Sequence, residues 1–185
     1  MRSWLLSNTT YGTWLPGDRR GSVTSVRNRR ASDEVSPFRF EHDIPGETWE
    51  EAIPALHRAA VEQMKGPPVF LDREHAELIL TQFQKTATYR GWTLRAVAIM
   101  RNHFHMVVQV PDDPSPTKIL VDFKAYASRT LNRHYGTPPS ETWWTTGGSK
   151  RQLDDERYLA NAVNYVLYKQ SRALVVWSPE LGRIV

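Results

Sequence analysis

The run Asn102-His103-Phe104-His105-Met106-Val107-Val108 constrains this chain more than any other stretch. Successive side chains of an extended backbone alternate, so Phe104, Met106, Val108 and Val110 share one face while His103, His105 and Val107 share the other. Two neighbouring imidazoles can clamp one divalent ion and leave coordination positions open for a substrate oxygen, the geometry of a catalytic site rather than a closed structural one. A His-x-His triplet alone is more often two partly exposed strand histidines, so a second element is needed to raise the metal reading.

The surrounding punctuation predicts the rest of the fold. Residues 2–11 read as a first strand stopped by Gly12 and the Pro16-Gly17 turn signal. From Asp18 to about Pro68 the chain is polar and interrupted by Pro and Gly, with one helix expected from Thr48 to Met64; this reads as an insertion, 18–68, within a single domain spanning 1–185. Asp72 caps a helix with apolar positions Leu78, Ile79, Phe83 and Ala87, ending near Arg90-Gly91. Trp92–Met100 and His103–Val110 form a hairpin about Arg101-Asn102. Ser115 and Pro116 open a helix through Tyr135, with Ile119, Leu120, Phe123, Ala127 and Leu131 on its core face. Trp143–Thr146 is expected as a short strand, with one indole packing and the other available to stack. Asp154 or Asp155 caps a last helix to about Ser171, and Ala173–Trp177 is an apolar tail. The order β-α-β-β-α-β plus an extra helix predicts an α+β fold, a ferredoxin-like antiparallel sheet with the histidines on a central or near-central strand.

Composition narrows the chemistry. The chain has no cysteine among 185 residues, which excludes disulfides, thiolate nucleophiles and Cys-ligated metal and leaves N and O ligands. No apolar run suits a signal peptide or a membrane span, so the expectation is a cytoplasmic protein. The net charge of +4 is clustered at Arg19-Arg20, Arg27, Arg29-Arg30, then Lys118, Lys124, Arg129, Arg133, then Lys150-Arg151. Interleaved with 7 Trp and 7 Tyr, these clusters suit a polyanionic partner, although a solvated basic surface accounts for them nearly as well.

On the last helix Leu159, Val163 and Val166 define the buried stripe. Tyr165 falls at the border of that stripe beside Tyr158 and Lys169, and Tyr168 points away. A phenol beside a His-bound cation is a candidate nucleophile toward phosphorus; the commoner fate of such a tyrosine is simply to sit at a helix border.

The strand Met100-Arg-Asn-His-Phe-His-Met-Val-Val followed by the helix Tyr165-Val-Leu-Tyr-Lys-Gln-Ser-Arg-Ala-Leu-Val-Val resembles the single-tyrosine HUH transposases, most of all the REP-associated tyrosine transposases. The resemblance spans roughly residues 73–177 plus the first strand. It implies that His103 and His105 bind a divalent metal ion (Mg2+ or Mn2+) and that Tyr165 is the nucleophile. It also implies cleavage and rejoining of single-stranded DNA beside an imperfect hairpin through a 5′-phosphotyrosine. Some members build each site from two subunits of a homodimer and others from one.

The chain departs from the family pattern in three places. The third metal ligand of the family, an amide one turn after the tyrosine, falls on Lys169, and an ammonium cannot ligate a cation. Gln170, the nearest amide, falls about 100° further round a continuing helix, on the buried stripe; either it completes the metal site after a local helix shift, or Lys169 itself contacts the scissile phosphate. Arg101 replaces a turn proline, and the insertion is absent from compact members. Lys118, Arg129, Arg133, Lys150, Arg151 and Lys169 are the DNA-binding candidates. The rival readings are a non-catalytic hairpin-binding protein on the same scaffold and, further off, an unrelated His-x-His hydrolase with a third His or carboxylate near the pair.

Overall fold

The computed structural model describes residues 1–20, 53–111 and 114–184. The chain divides into two compact units, the first Trp14–Met64 and the second Met1–Thr13 with Lys65–Val185. In the first, helix α1 (Pro54–Glu62) has no buried residue, and the earlier part of the helix expected from Thr48 lies outside the described residues.

The second unit is built on β1 (Arg2–Thr9), α2 (Arg73–Arg90), β2 (Thr93–Ile99), β3 (His103–Val110), α3 (Pro116–Tyr135), β4 (Ser149–Leu153), α4 (Glu156–Tyr168), β5 (Val175–Ser178) and β6 (Gly182–Arg183). Its strands make one antiparallel sheet in the order β4-β1-β3-β2-β5-β6, so the histidine strand is interior. The expected α+β antiparallel architecture is the one observed.

Local chemistry starts and stops the elements as expected. The Asp72 carboxylate accepts the His75 backbone N–H (3.0 Å), and α2 ends on left-handed Gly91, φ 67°. The Ser115 hydroxyl accepts from Lys118 N, with Pro116 in the first turn of α3, and the Asp155 carboxylate accepts from Tyr158 N at 2.8 Å to start α4. Arg101 and Asn102 form a two-residue turn closed by Met100 N–H donating to the His103 carbonyl at 2.8 Å.

Packing turns the alternation of β3 into two layers. Phe104, Met106, Val108 and Val110 join Trp4 and Leu6 beneath α2 and α3, where the Phe83 ring meets Phe104 and Phe123 edge-on at 5.1 and 5.3 Å. Each such fully buried ring contributes about 1.5–3 kcal/mol. On the opposite side Val107, Ala96 and Ala98 pack against Leu159, Ala162 and Val166 of α4. The C-terminal helix therefore covers the face to which the imidazoles belong.

The structure corrects four expectations. The strand expected at Trp143–Thr146 is a single bridge, Thr10 with Trp144, and the strand that borders β1 is β4, which begins just past Gly147 and Gly148. Both indoles are buried: Trp143 Nε1 donates to Asn132 Oδ1 (2.7 Å) and Trp144 Nε1 to Ser128 Oγ (3.0 Å), so neither presents a ring to a base. The apolar tail is strand β5, paired with β2, and the chain continues to β6. Finally, α4 stops at Tyr168 rather than near Ser171, with Lys169 as its C-cap, so Gln170 is not on the buried stripe.

Candidate active site

Strand register brings a third polar residue to the imidazole pair. In β1 Ser7 lies opposite His105 and Thr9 opposite His103, and directly opposed residues of an antiparallel pair put their side chains on the same face. Ser7 Oγ and His105 Nδ1 are hydrogen-bonded at 2.5 Å, and His103 Nδ1 is bonded to Asn102 Oδ1 at 2.7 Å. Each bond turns its ring so that the other nitrogen, Nε2, points away from the partner, the usual way in which a ligating histidine is oriented. The two ring centroids are 5.0 Å apart. Burial pushes the His105 imidazole down to about 3, with the neighbouring His103 acting in the same direction, so His105 is neutral at neutral pH.

Helix α4 brings the phenol to the same place. Its buried Leu159, Ala162 and Val166 dock on β2 and β3, which leaves Tyr165 at the edge of the contact, 42% exposed, with its ring 5.5 Å from that of His105. Imidazoles and phenol thus converge within one chain. Tyr168, three residues later, is 63% exposed. Lys169 follows directly, its backbone N–H donating to the Tyr165 carbonyl at 3.1 Å. Gln170 donates its amide N–H to the same carbonyl, also at 3.1 Å, and so finishes the helix.

The two imidazoles fit a divalent cation by their chemistry: both are N donors held by bonds at Nδ1, and the neutral His105 ring has one nitrogen free of a proton to offer a metal. Among the described residues no third His, Cys, Asp or Glu joins them in a metal-holding group.

The basic candidates separate by layer. Arg151 lies opposite Leu5, on the imidazole side of the sheet, and Lys169 caps the tyrosine helix. Lys150 lies opposite Leu6, on the other side, and donates to the Gly148 carbonyl at 3.1 Å. Lys118, Arg129 and Arg133 are carried by α3, also beyond the sheet from the histidines; Lys118 is paired with Asp122 (3.1 Å), and Arg129 lies over the Tyr126 ring. Lys124, part of the same basic cluster in sequence, turns inward. Its ammonium donates to Asn8 Oδ1 (3.1 Å) and to the carbonyls of Thr145 (2.7 Å) and Gly147 (3.0 Å), and burial, with Lys150 nearby, lowers it to about 8. The loop it holds ends at Gly148 (φ 134°), where a Cβ would come within 2.5 Å of Asn8 Oδ1 and 2.6 Å of Leu120. Lys124 is therefore a structural cation that leads the chain into β4.

Sequence reasoning missed Ser7. Its only trace was the polar alternation Ser7, Thr9 after the apolar Trp4-Leu5-Leu6 of the first strand, which carries no meaning until the register with β3 is known.

Residues 63–168, from just before α2 to the last residue of α4, match the family described as IS200-like transposases. That stretch is more than half of the chain and contains His103, His105 and Tyr165; the chain belongs to this family. A solved structure described as a REP-associated tyrosine transposase bound to a REP hairpin is similar over 89% of this chain at 9% identity, with a TM-score of 0.46. The chain spans 64% of the length of that one. No curated protein matches. Among the described residues no helix is long and apolar enough to cross a membrane.

Proposed function

We propose that this chain nicks and rejoins single-stranded DNA, with Tyr165 as nucleophile. The observation that carries the reading is the approach of the Tyr165 ring to His105 (5.5 Å) and of His105 to His103 (5.0 Å) on a single layer of the sheet. The Tyr165 oxygen attacks a backbone phosphorus, the phenol proton passes to solvent, and the P–O3′ bond breaks. The products are a free 3′-hydroxyl, which takes up a proton, and a 5′-phosphotyrosine. Attack of another 3′-hydroxyl on that ester reverses the step and joins the strands, so bond energy is conserved throughout.

His103 and His105 would hold the divalent ion, Mg2+ or Mn2+, which when bound supplies charge to the phosphoryl oxygens. Ser7 and Asn102 orient the two rings, and Lys169, next to Tyr165 at the helix cap, offers a further positive charge to the phosphate. A target beside a DNA hairpin is what the family resemblance implies, and a homodimer is a form that some members of the family take. Since one chain supplies the histidines and the tyrosine, the proposal does not require a second subunit at the site.

The test is an adduct assay. Labelled single-stranded DNA carrying a hairpin, incubated with the protein and Mn2+, is expected to yield a denaturant-resistant protein–DNA species that Tyr165→Phe does not form while still binding DNA. An adduct that persists in the Phe variant refutes the nucleophile. Lys169, standing where the family's amide ligand is expected, with no third His, Cys, Asp or Glu beside the pair among the described residues, favours one rival, a hairpin-binding protein without cleavage; salt-sensitive binding with no adduct under either metal would select it.

A further inference from the structure

Tyr158 stands two turns before Tyr165 on α4. Seven residues of helix return to nearly the same azimuth, about 20° away, and advance about 10.5 Å along the axis. Tyr158 is therefore almost in line with the proposed nucleophile, at a distance that one to two nucleotides of an extended strand would span. Its ring is 42% exposed.

Two guanidinium groups meet at this ring. The Arg151 Cζ lies 5.9 Å from the Tyr158 centroid and the Arg157 Cζ 5.4 Å from it. Arg151 reaches the ring from the edge strand β4, on the imidazole side of the sheet, while Arg157 is its neighbour on the helix. Both arginines are exposed, and among the described residues neither is in an ion pair, in contrast to Arg73, Arg90 and Arg183. The carboxylates of Asp154, Asp155 and Glu156 stand between the two arginines in sequence, at the start of the helix, and Asp155 accepts the Tyr158 backbone N–H at 2.8 Å. Two like charges gathered on one aromatic, neither of them in a salt bridge, repel each other, and an anion between them would relieve the repulsion.

We infer that Arg151, Arg157 and Tyr158 form a subsite for the nucleotides flanking the scissile position, in which the guanidinium groups hold backbone phosphate and the phenol ring supports a base. This rests on the single-stranded DNA reading of the tyrosine site and names the track by which the strand leaves it. Aromatic stacking of bases and charge-assisted contacts to phosphate are the two terms by which proteins follow single strands.

Fluorescence anisotropy with a labelled single-stranded oligodeoxynucleotide of mixed sequence, measured over a series of KCl concentrations, tests the subsite. Loss of two phosphate contacts in Arg151→Ala/Arg157→Ala is expected to lower the salt-dependence slope by about 1.4, at roughly 0.7 per contact on a single strand. Tyr158→Ala is expected to weaken binding ~5-fold or more with the slope kept, and Tyr158→Phe, which retains the ring, to restore it. Lys85→Ala, an exposed cation on α2 beyond the sheet from the histidines, serves as the control and keeps the wild-type slope. If the double arginine variant retains both the wild-type Kd and slope while the wild type forms the Tyr165 adduct, the subsite is wrong and the nuclease reading stands. If the wild type neither binds single strands nor forms the adduct, both fall.

Discussion

The two faces of strand β3 are made of adjacent residues and do opposite jobs. Phe104 and Met106 are completely buried beneath α2 and α3, in a layer of interlocked aromatics. His103 and His105, one residue away in each case, are only partly buried, are tied to Ser7 and Asn102, and look toward a half-exposed phenol. The sealed layer keeps its polar groups, Lys124 and the two indole N–H groups among them, in hydrogen bonds, and the α4 layer is narrow enough that its edge stays open. A sheet with one thick and one thin cover can keep its reactive groups accessible while its stability is provided from the other side.

That division makes quantitative predictions. Phe104→Ala, which removes a ring packed against Phe83 and Trp144, is expected to destabilise the fold by roughly 3–5 kcal/mol in urea denaturation. At a temperature where the variant remains folded, its Mn2+ affinity should match the wild type; a parallel loss of metal binding would show that the faces are not independent.

Ser7→Ala reverses the pattern. Removing the partner of His105 Nδ1 is expected to weaken Mn2+ binding about 10–100-fold, the usual cost of losing an orienting group behind a metal ligand, with Ser7→Thr recovering much of it. Calorimetric titration with Mn2+ reads the change directly. An unaltered affinity would mean that α4 and the neighbouring strands alone hold the ring.

The smallest effect concerns pH. Above about 6.5 the His105 side chain is neutral in both the folded and the unfolded chain, so it gives no pH dependence there. Below that, the unfolded chain takes up a proton which the folded protein refuses until about 3, so stability falls as pH is lowered through this window. Denaturation curves recorded in chelator at neutral and at mildly acidic pH should show a smaller decline for His105→Gln than for the wild type. Equal declines would assign the acid sensitivity to other groups.

Much of this arrangement was legible from local pattern. Alternation in the Asn102–Val110 run separated Phe104 from the imidazoles, the Asp72 and Ser115 caps and the Asp154-Asp155 pair marked helix starts, and the spacing of Leu159 and Val166 put Tyr165 at the border of its helix. These are properties of one strand or one helix, decided within a few residues. The reading failed where the answer depended on distant chain. Trp143 and Trp144 have strand-like composition, yet the groups that claim their indoles are Asn132 and Ser128 on α3. The polar Ser149–Leu153 segment has no strand signature of its own and becomes one because β1 offers an open edge.

By itself, then, the order of residues determined the two-faced histidine strand, the tyrosine-bearing helix and the α+β class, because side-chain periodicity and capping act at short range. Folding in three dimensions settled that Ser7 backs His105, that Lys124 points inward while Arg151 faces the site, and that α4 ends before Gln170. Each of those depends on strand register or on hydrogen-bond partners remote in sequence, and no local period encodes them.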